Sequence, residues 1–304
     1  MRLRPGYPIV TESPIVESLG DLLAPCVSVI EADLERWLIE PLTPADLAEA
    51  MRYCTLFGGK RIRPVLVHLS SKAVGGTVGE PARKAAVAVE LVHCYSLVHD
   101  DLPAMDDDSL RRGRPTAHVR FGEAMAILTG DALLTRAFSL LAETEQAGRL
   151  VAELATGAGP AGMIAGQVAD MNLCEVPAGP EGLEYIHARK TAALIQAAAR
   201  MGAICARADG PVLAAISEYA RAMGLAFQLF DDLLDVTGSA QDLGKTAGKD
   251  ARAGKRTYAS EMGLEASRRL GAELTRQAVR SLQPLAPKAS KLIRLAELLA
   301  DRTR

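Results

Sequence analysis

Along most of the chain, apolar residues recur every three or four positions, as on one face of a helix. Nowhere do four or more residues alternate apolar and polar between turn signals, as a half-buried strand would, so no strand is expected. Residues 1 to about 15 hold three prolines and little periodicity and are read as an extended arm. From 16 to 304 the pattern predicts one helical domain. Thr43-Pro44 predicts a helix start, with Thr43 at the N-cap and Pro44 at the first helical position. Gly58-Gly59 ends that helix. Another is expected over 64–74, stopping at Gly75-Gly76. Glu80-Pro81 opens a long apolar helix that should run to the aspartates near 100. Further helices are predicted over 121–147, 149–172, 180–207, 210–236, 259–282 and 287–301, with Pro160 placed to kink one of them. The fold class is therefore all-α.

Composition agrees. Of 304 residues, 49% are hydrophobic and only 4% aromatic, and the richness in Ala and Leu favours helix over strand. A formal charge of −2 gives no overall attraction to nucleic acid, so any charge-based function must come from local clusters. The five cysteines, Cys26, Cys54, Cys94, Cys174 and Cys205, form no CxxC pair. They read as reduced thiols of a cytoplasmic protein rather than as a zinc site. The N-terminus lacks the apolar run of a signal peptide. The apolar stretch over 192–208 is interrupted by Gln196, Arg200 and Arg207, so no stable membrane insertion is expected. Gly157-Ala158-Gly159-Pro160-Ala161-Gly162 matches the dinucleotide fingerprint, but it follows a helical pattern where that motif needs a strand. Close helix packing is the better reading of those small residues.

Two acidic clusters stand out. His99-Asp100-Asp101-Leu102-Pro103-Ala104-Met105-Asp106-Asp107-Asp108 places five carboxylates at the end of an otherwise apolar helix. Gln228-Leu229-Phe230-Asp231-Asp232-Leu233-Leu234-Asp235 is embedded in another. Asp231 and Asp235 are one helical turn apart and share a face, with Gln228 on nearly the same stripe. Two like charges ~4 Å apart repel by ~4 kcal/mol at an effective dielectric of about 20, so a closed site holding several needs a cation. Oxygen-only ligands favour a hard ion, magnesium before calcium, and magnesium held by few carboxylates also takes phosphate oxygens. Asp100 and Asp106 are about 240° apart on an ideal helix, but Pro103 disfavours helix before it, and a loosened backbone lets the two converge. The EF-hand spacing is absent.

Cations lie near both clusters. Gly59-Lys60-Arg61-Ile62-Arg63-Pro64 sits at a helix start, where free N–H groups also attract anions. Arg111-Arg112 follows the first aspartates, Lys190-Thr191 lies within a helix, and Lys245, Lys249 and Lys255-Arg256 follow the second cluster. The P-loop pattern is absent.

As a set, these residues resemble the trans-isoprenyl diphosphate synthases of the polyprenyl synthetase family, most closely the bacterial farnesyl diphosphate synthases. The resemblance rests first on Gly58-Gly59-Lys60-Arg61-Ile62-Arg63-Pro64 and on Tyr95-Ser96-Leu97-Val98 running into the first aspartates. It continues through Leu110-Arg111-Arg112-Gly113-Arg114-Pro115-Thr116, Gly166-Gln167-Val168-Ala169-Asp170 and His187-Ala188-Arg189-Lys190-Thr191. Phe227 with the second cluster, Leu243-Gly244-Lys245 and Gly254-Lys255-Arg256-Thr257-Tyr258 complete it. Their order and spacing match over essentially the whole chain. Phe230, where relatives often have a polar residue, and Ala259, where proline is common, depart from the pattern.

The resemblance implies a homodimer of antiparallel helical bundles, each around a central cavity, with magnesium as cofactor at three ions per site. It implies isopentenyl diphosphate and an allylic diphosphate as substrates, condensed head to tail to farnesyl diphosphate. Asp100, Asp106 and Asp231 would hold the metal, with Asp101, Asp232 and Asp235 in support. Arg111, Lys190, Lys245 and Lys255 would grip the allylic diphosphate, beside Thr191 and Gln228. Lys60, Arg63, His93 and Arg112 would bind isopentenyl diphosphate, and Gln167 and Asp170 would line the same wall. His99 is read as a packing or hydrogen-bonding histidine. Tyr95, five residues before Asp100, is expected to form the floor that limits product length, next to the small Ser96. A geranylgeranyl diphosphate synthase is the alternative, and a non-catalytic subunit of a heteromeric synthase a weaker one.

Overall fold

The computed structural model describes residues 18–237 and 256–301. The arm expected over 1–15 and the lysines Lys245, Lys249 and Lys255 lie outside the described residues. The fold is all-α. Its first helix, α1 (Leu19–Trp37), opens on a capping box between Ser18 and Asp21. Then come α2 (Ala45–Thr55), α3 (Ile62–Val74) and α4 (Glu80–Asp100). Every residue over 84–92 in α4 is buried, as befits an interior helix apolar all round its middle. It packs against α3, α6 (Glu123–Ala142) and α10 (Ala193–Cys205).

Several expected helices are divided where the backbone demands it. The 121–147 segment is α5 (Ala117–Phe121) and then α6, separated by Gly122 at φ 85°. The 149–172 segment is α7 (Ala147–Ala158) and α8 (Met163–Asp170), with Pro160 in the gap, where its missing N–H cannot continue a helix. The 180–207 segment is continuous but not regular: α9 (Gly179–His187) passes through a π turn (Ala188–Ala192) into α10. The long α11 (Gly210–Thr237) matches expectation. After it, α12 (Tyr258–Met262) and α13 (Leu264–Ser281) are split by Gly263 at φ 81°. A 3-10 turn (Gln283–Leu285) leads to α14 (Ser290–Asp301). Pro44 stands at the N-cap of α2, one position later than expected, because the Thr43 hydroxyl donates to the Glu40 carbonyl instead.

The expectation of no strand needs correction. Leu110–Arg111 (β1) and Arg114–Pro115 (β2) pair antiparallel around Arg112 and Gly113, whose φ values of 52° and 74° are those of a two-residue hairpin turn. Strands this short have no alternation to detect. Near Gly157, by contrast, small residues do serve close packing: a Cβ there would sit 2.6 Å from that of Ala197 on α10.

Candidate functional site

The first acidic cluster begins where α4 stops, at Asp100. Beyond it Pro103 prevents continuation, and the chain turns back on itself. The Met105 amide donates to the Leu102 carbonyl at 2.8 Å, and the Asp106 amide to the Asp100 carbonyl at 2.8 Å. This fold-back brings Asp106 over the helix end, the convergence that the spacing alone would forbid. Burial, with the charges of Asp106 and Asp101, pushes the Asp100 carboxyl up to about 6 against the pull of Lys190 and Arg111.

Asp101 plays a different part. It is only 3% exposed, and Arg111 Nε donates to both its oxygens at 2.9 and 2.8 Å while Nη2 reaches one at 2.5 Å. Its carboxylate anchors Arg111. Arg111 is half-buried, but Asp101 and Asp100 outweigh that burial and raise its pKa.

The second cluster lies on α11. Asp232 is buried, accepting from Gln228 Nε2 at 3.1 Å and from the Tyr258 amide at 3.4 Å, so it too is held by protein. Gln228 Oε1 in turn accepts from the Thr191 hydroxyl at 3.0 Å. Thr191 follows Lys190 in the π turn, and the Lys190 ammonium pairs with Asp170 at 2.6 Å while its charge reaches Asp100. Neighbouring residues of one widened turn thus address both acidic clusters, Thr191 by a hydrogen bond to Gln228 and Lys190 by its charge on Asp100. The π turn accepts α8 closely because Gly166 has no side chain: a Cβ there would sit 2.1 Å from the Lys190 amide nitrogen. Asp231 is close enough for its charge to act on Arg63, and Asp235 is partly exposed near the end of α11.

The basic loop divides its labour. Lys60 is exposed. Arg61, given no role of its own by the sequence, turns inward. It is 2% exposed at φ 50°, with Nε 2.7 Å from Glu31, Nη1 2.7 Å from Glu90 and Nη2 2.7 Å from the Thr55 carbonyl. Burial alone would lower its pKa, but Glu90 and Glu31 raise it. Arg63 Nε is buried with no hydrogen-bond partner among the described residues, and burial lowers that guanidinium's pKa despite Glu90 and Asp231. His93 is driven well below its usual pKa by burial and by Arg63, Arg112, Arg111 and Arg61 around it. A neutral imidazole amid arginines is a setting for an anion.

Other expected residues fall into place around these. Both amide atoms of Gln167, on α8 with Asp170, are buried without a hydrogen-bond partner among the described residues. The Ser96 hydroxyl donates to the His93 carbonyl at 2.9 Å. Tyr95 is buried, with its ring edge-on to His99 at 5.7 Å. A ring nitrogen of His99 lies 3.0 Å from the Ile127 carbonyl, as a hydrogen-bonding histidine should.

Oxygen donors crowded at Asp100 and Asp106 fit a hard divalent ion. Among the described residues, however, no three acidic, imidazole or thiol side chains converge on one point. An ion there would need oxygens from a bound phosphate to complete its shell, as magnesium commonly takes.

A family model described as polyprenyl synthetase matches residues 44–288. The chain is 48% identical over 276 residues to geranylgeranyl pyrophosphate synthase 11, chloroplastic, of Arabidopsis thaliana, covering 87% of this chain and 76% of that one. It is 43% identical over 294 residues to the farnesyl diphosphate synthase of Escherichia coli (strain K12), covering 93% and 98%. Among solved structures, an FPP/GFPP synthase from Zymomonas mobilis superposes with a TM-score of 0.81 at 34% identity, covering 93% of this chain and 99% of that one.

Proposed function

Because this chain belongs to the polyprenyl synthetase family and is a prenyltransferase of the trans type, we propose that it condenses isopentenyl diphosphate with dimethylallyl or geranyl diphosphate to form farnesyl diphosphate. The observation that carries the reading is the π turn whose Thr191 bonds Gln228 of the second acidic cluster while the charge of its Lys190 acts on Asp100 of the first, together with the arginines around His93. One group of charges suits a diphosphate bound through cations, the other a diphosphate bound directly.

Asp100, Asp106, Asp231 and Asp235 would hold magnesium, up to three ions with substrate present. Asp101 and Asp232 stand behind them, fixing Arg111 and Gln228. Magnesium supplies Lewis-acid stabilisation of the departing diphosphate. Arg111 and Lys190 meet the negative charge that grows on the leaving oxygens, with Lys245 and Lys255 assigned to the same diphosphate. The allylic C–O bond breaks, and the resulting cation faces the Thr191 hydroxyl and the Gln228 amide, both polar and uncharged. Lys60, Arg63, His93 and Arg112 hold isopentenyl diphosphate so that its double bond attacks the allylic carbon. The proton then lost goes to the released diphosphate, and Gln167 and Asp170 line the same wall. No side chain has to act as nucleophile.

Fifteen carbons is favoured by Tyr95, whose ring lies about 7.5 Å of helix before Asp100, with Ser96 leaving the neighbouring position open. Twenty carbons is the second reading, favoured by the geranylgeranyl name of the Arabidopsis relative. A homodimer is supported by the apolar side chains that α5 and α6 leave exposed, Val119, Ile127 and Leu128. α6 is also long and apolar enough to cross a membrane, but much of it packs on α4, and subunit contact accounts better for its apolar outer face. The test is to incubate purified protein with magnesium, isopentenyl diphosphate and geranyl diphosphate and to measure product length. Farnesyl diphosphate formation abolished by chelator and restored by magnesium is expected. Twenty-carbon product would favour the second reading, and no turnover would defeat both.

A further inference from the structure

The ribbon carrying Arg111 and Arg112 has two residues in each strand, too few to hold its own shape. Beneath it lies an open pocket, bordered by Leu97, Val98, Asp101 and Ala117, in place of a packed layer. Arg111 has an anchor of its own in Asp101. Arg112 has none among the side chains of the described residues: its guanidinium donates to the backbone carbonyls of Phe57, at 3.4 Å, and Gly58. That contact needs Gly59 bare, since a Cβ there would sit 2.9 Å from the guanidinium nitrogens.

What holds the ribbon is on its outer edge. The Arg114 guanidinium lies 3.5 Å from the centre of the Phe57 ring and 4.5 Å from that of Tyr53, within cation–π range. The Tyr53 hydroxyl donates to the Pro115 carbonyl at 2.7 Å. Tyr53 is itself braced by Phe121, edge-on at 5.3 Å, and by Arg120 at 4.3 Å. Phe57 is 52% exposed, so it is not a core residue, yet it is the surface on which Arg114 rests.

We propose that Phe57, Tyr53 and Arg114 form a clamp that positions Arg112 against the 58–60 loop. The clamp holds the two halves of the isopentenyl diphosphate subsite, Arg112 and Lys60, at a fixed separation. This rests on the diphosphate reading given above. The three are positioning residues and act only through Arg112. Because Arg111 is tied to Asp101 and Lys190 to Asp170, neither through the clamp, loosening the clamp weakens the isopentenyl subsite and spares the allylic one.

The test uses the full chain with magnesium and calorimetric titration of isopentenyl diphosphate and, separately, geranyl diphosphate. Phe57→Leu and Arg114→Gln are each expected to raise the Kd for isopentenyl diphosphate about tenfold, a loss of about 1.4 kcal/mol. The Kd for geranyl diphosphate and kcat at saturation should stay within about twofold by the same logic. Phe57→Trp, which keeps an aromatic face, should bind as the wild type does. Unchanged isopentenyl affinity, equal weakening of both ligands, or a Phe57→Trp variant as weak as Phe57→Leu would overturn the clamp. If Phe57→Leu does not fold, Arg114→Gln decides. A wild type that binds both diphosphates but forms no product would defeat the proposed reaction and leave the binding test of the clamp intact.

Discussion

Replacing Arg61 with methionine should destabilise the protein by about 4 kcal/mol, within the range for removing one partner of a buried ion pair. Methionine keeps much of the stem, and both residues carry a Cβ, so the φ of 50° strains each alike. What disappears is four hydrogen bonds, two to Glu31, one to Glu90 and one to the Thr55 carbonyl. Glu31 is 36% exposed and can turn to water, whereas the Glu90 side chain is 3% exposed and cannot. The cost therefore comes mainly from one stranded carboxylate. Equilibrium urea unfolding followed by circular dichroism measures it directly. In a chain of this size the same loss corresponds to a melting temperature lower by roughly 6 °C. Adding Glu90→Gln to Arg61→Met should recover part of the loss by removing the stranded charge. A single variant within 1 kcal/mol of wild type, or a double variant no better than the single, would refute the argument.

Three further outcomes are expected. His68 is buried, and burial lowers its pKa to about 4 against the pull of Asp33, with Lys72 and Arg83 adding to the lowering. The unfolded chain therefore takes up a proton near pH 6.5 that the folded chain refuses. Stability from this group is complete above pH 6.5 and falls by about 3 kcal/mol as pH drops to about 4. Urea unfolding of His68→Leu should lack that segment, and parallel curves for variant and wild type would contradict it. Gly166→Ala must push α8 away from the Lys190 backbone. Steady-state kinetics should show KM for the allylic diphosphate rising about tenfold or more while that for isopentenyl diphosphate hardly moves. Tyr95→Ala should lengthen the product beyond fifteen carbons, and an unchanged product distribution on chromatography would remove Tyr95 as the floor.

The sequence carried the fold class and the two acidic clusters because each is a local signal. Apolar periodicity reports a helix's own buried face, and Pro103 reports its own missing N–H. The convergence of Asp106 on Asp100 was legible for that reason. The direction in which Arg61 points was not, since it depends on Glu31 and Glu90, about thirty residues away in either direction. Asp101 and Asp232 look like their neighbours in sequence, and only the structure shows that they are held by Arg111 and Gln228. The ribbon at 110–115 was missed because its strands are shorter than any alternation, although the Arg112-Gly113 turn was there to be noticed. Gly122 and Gly263 were equally visible as breaks.

The widened turn at 188–192 also sets a phase. A π turn amounts to one extra residue in a regular helix, and that residue rotates everything after it by about 100°. Before it, Leu183 belongs to the small hydrophobic cluster with Phe230 and Tyr258. After it, Leu194, Ile195, Ala198 and Met201 belong to the main core. One unbroken rod thus serves two interiors that a uniform spiral would not face in succession. Deleting a single residue there would do more than displace Lys190. It would swing the polar Gln196 and Arg200 toward ground now held by aliphatic side chains, so the chemistry of this turn cannot be edited without rewriting the packing beyond it.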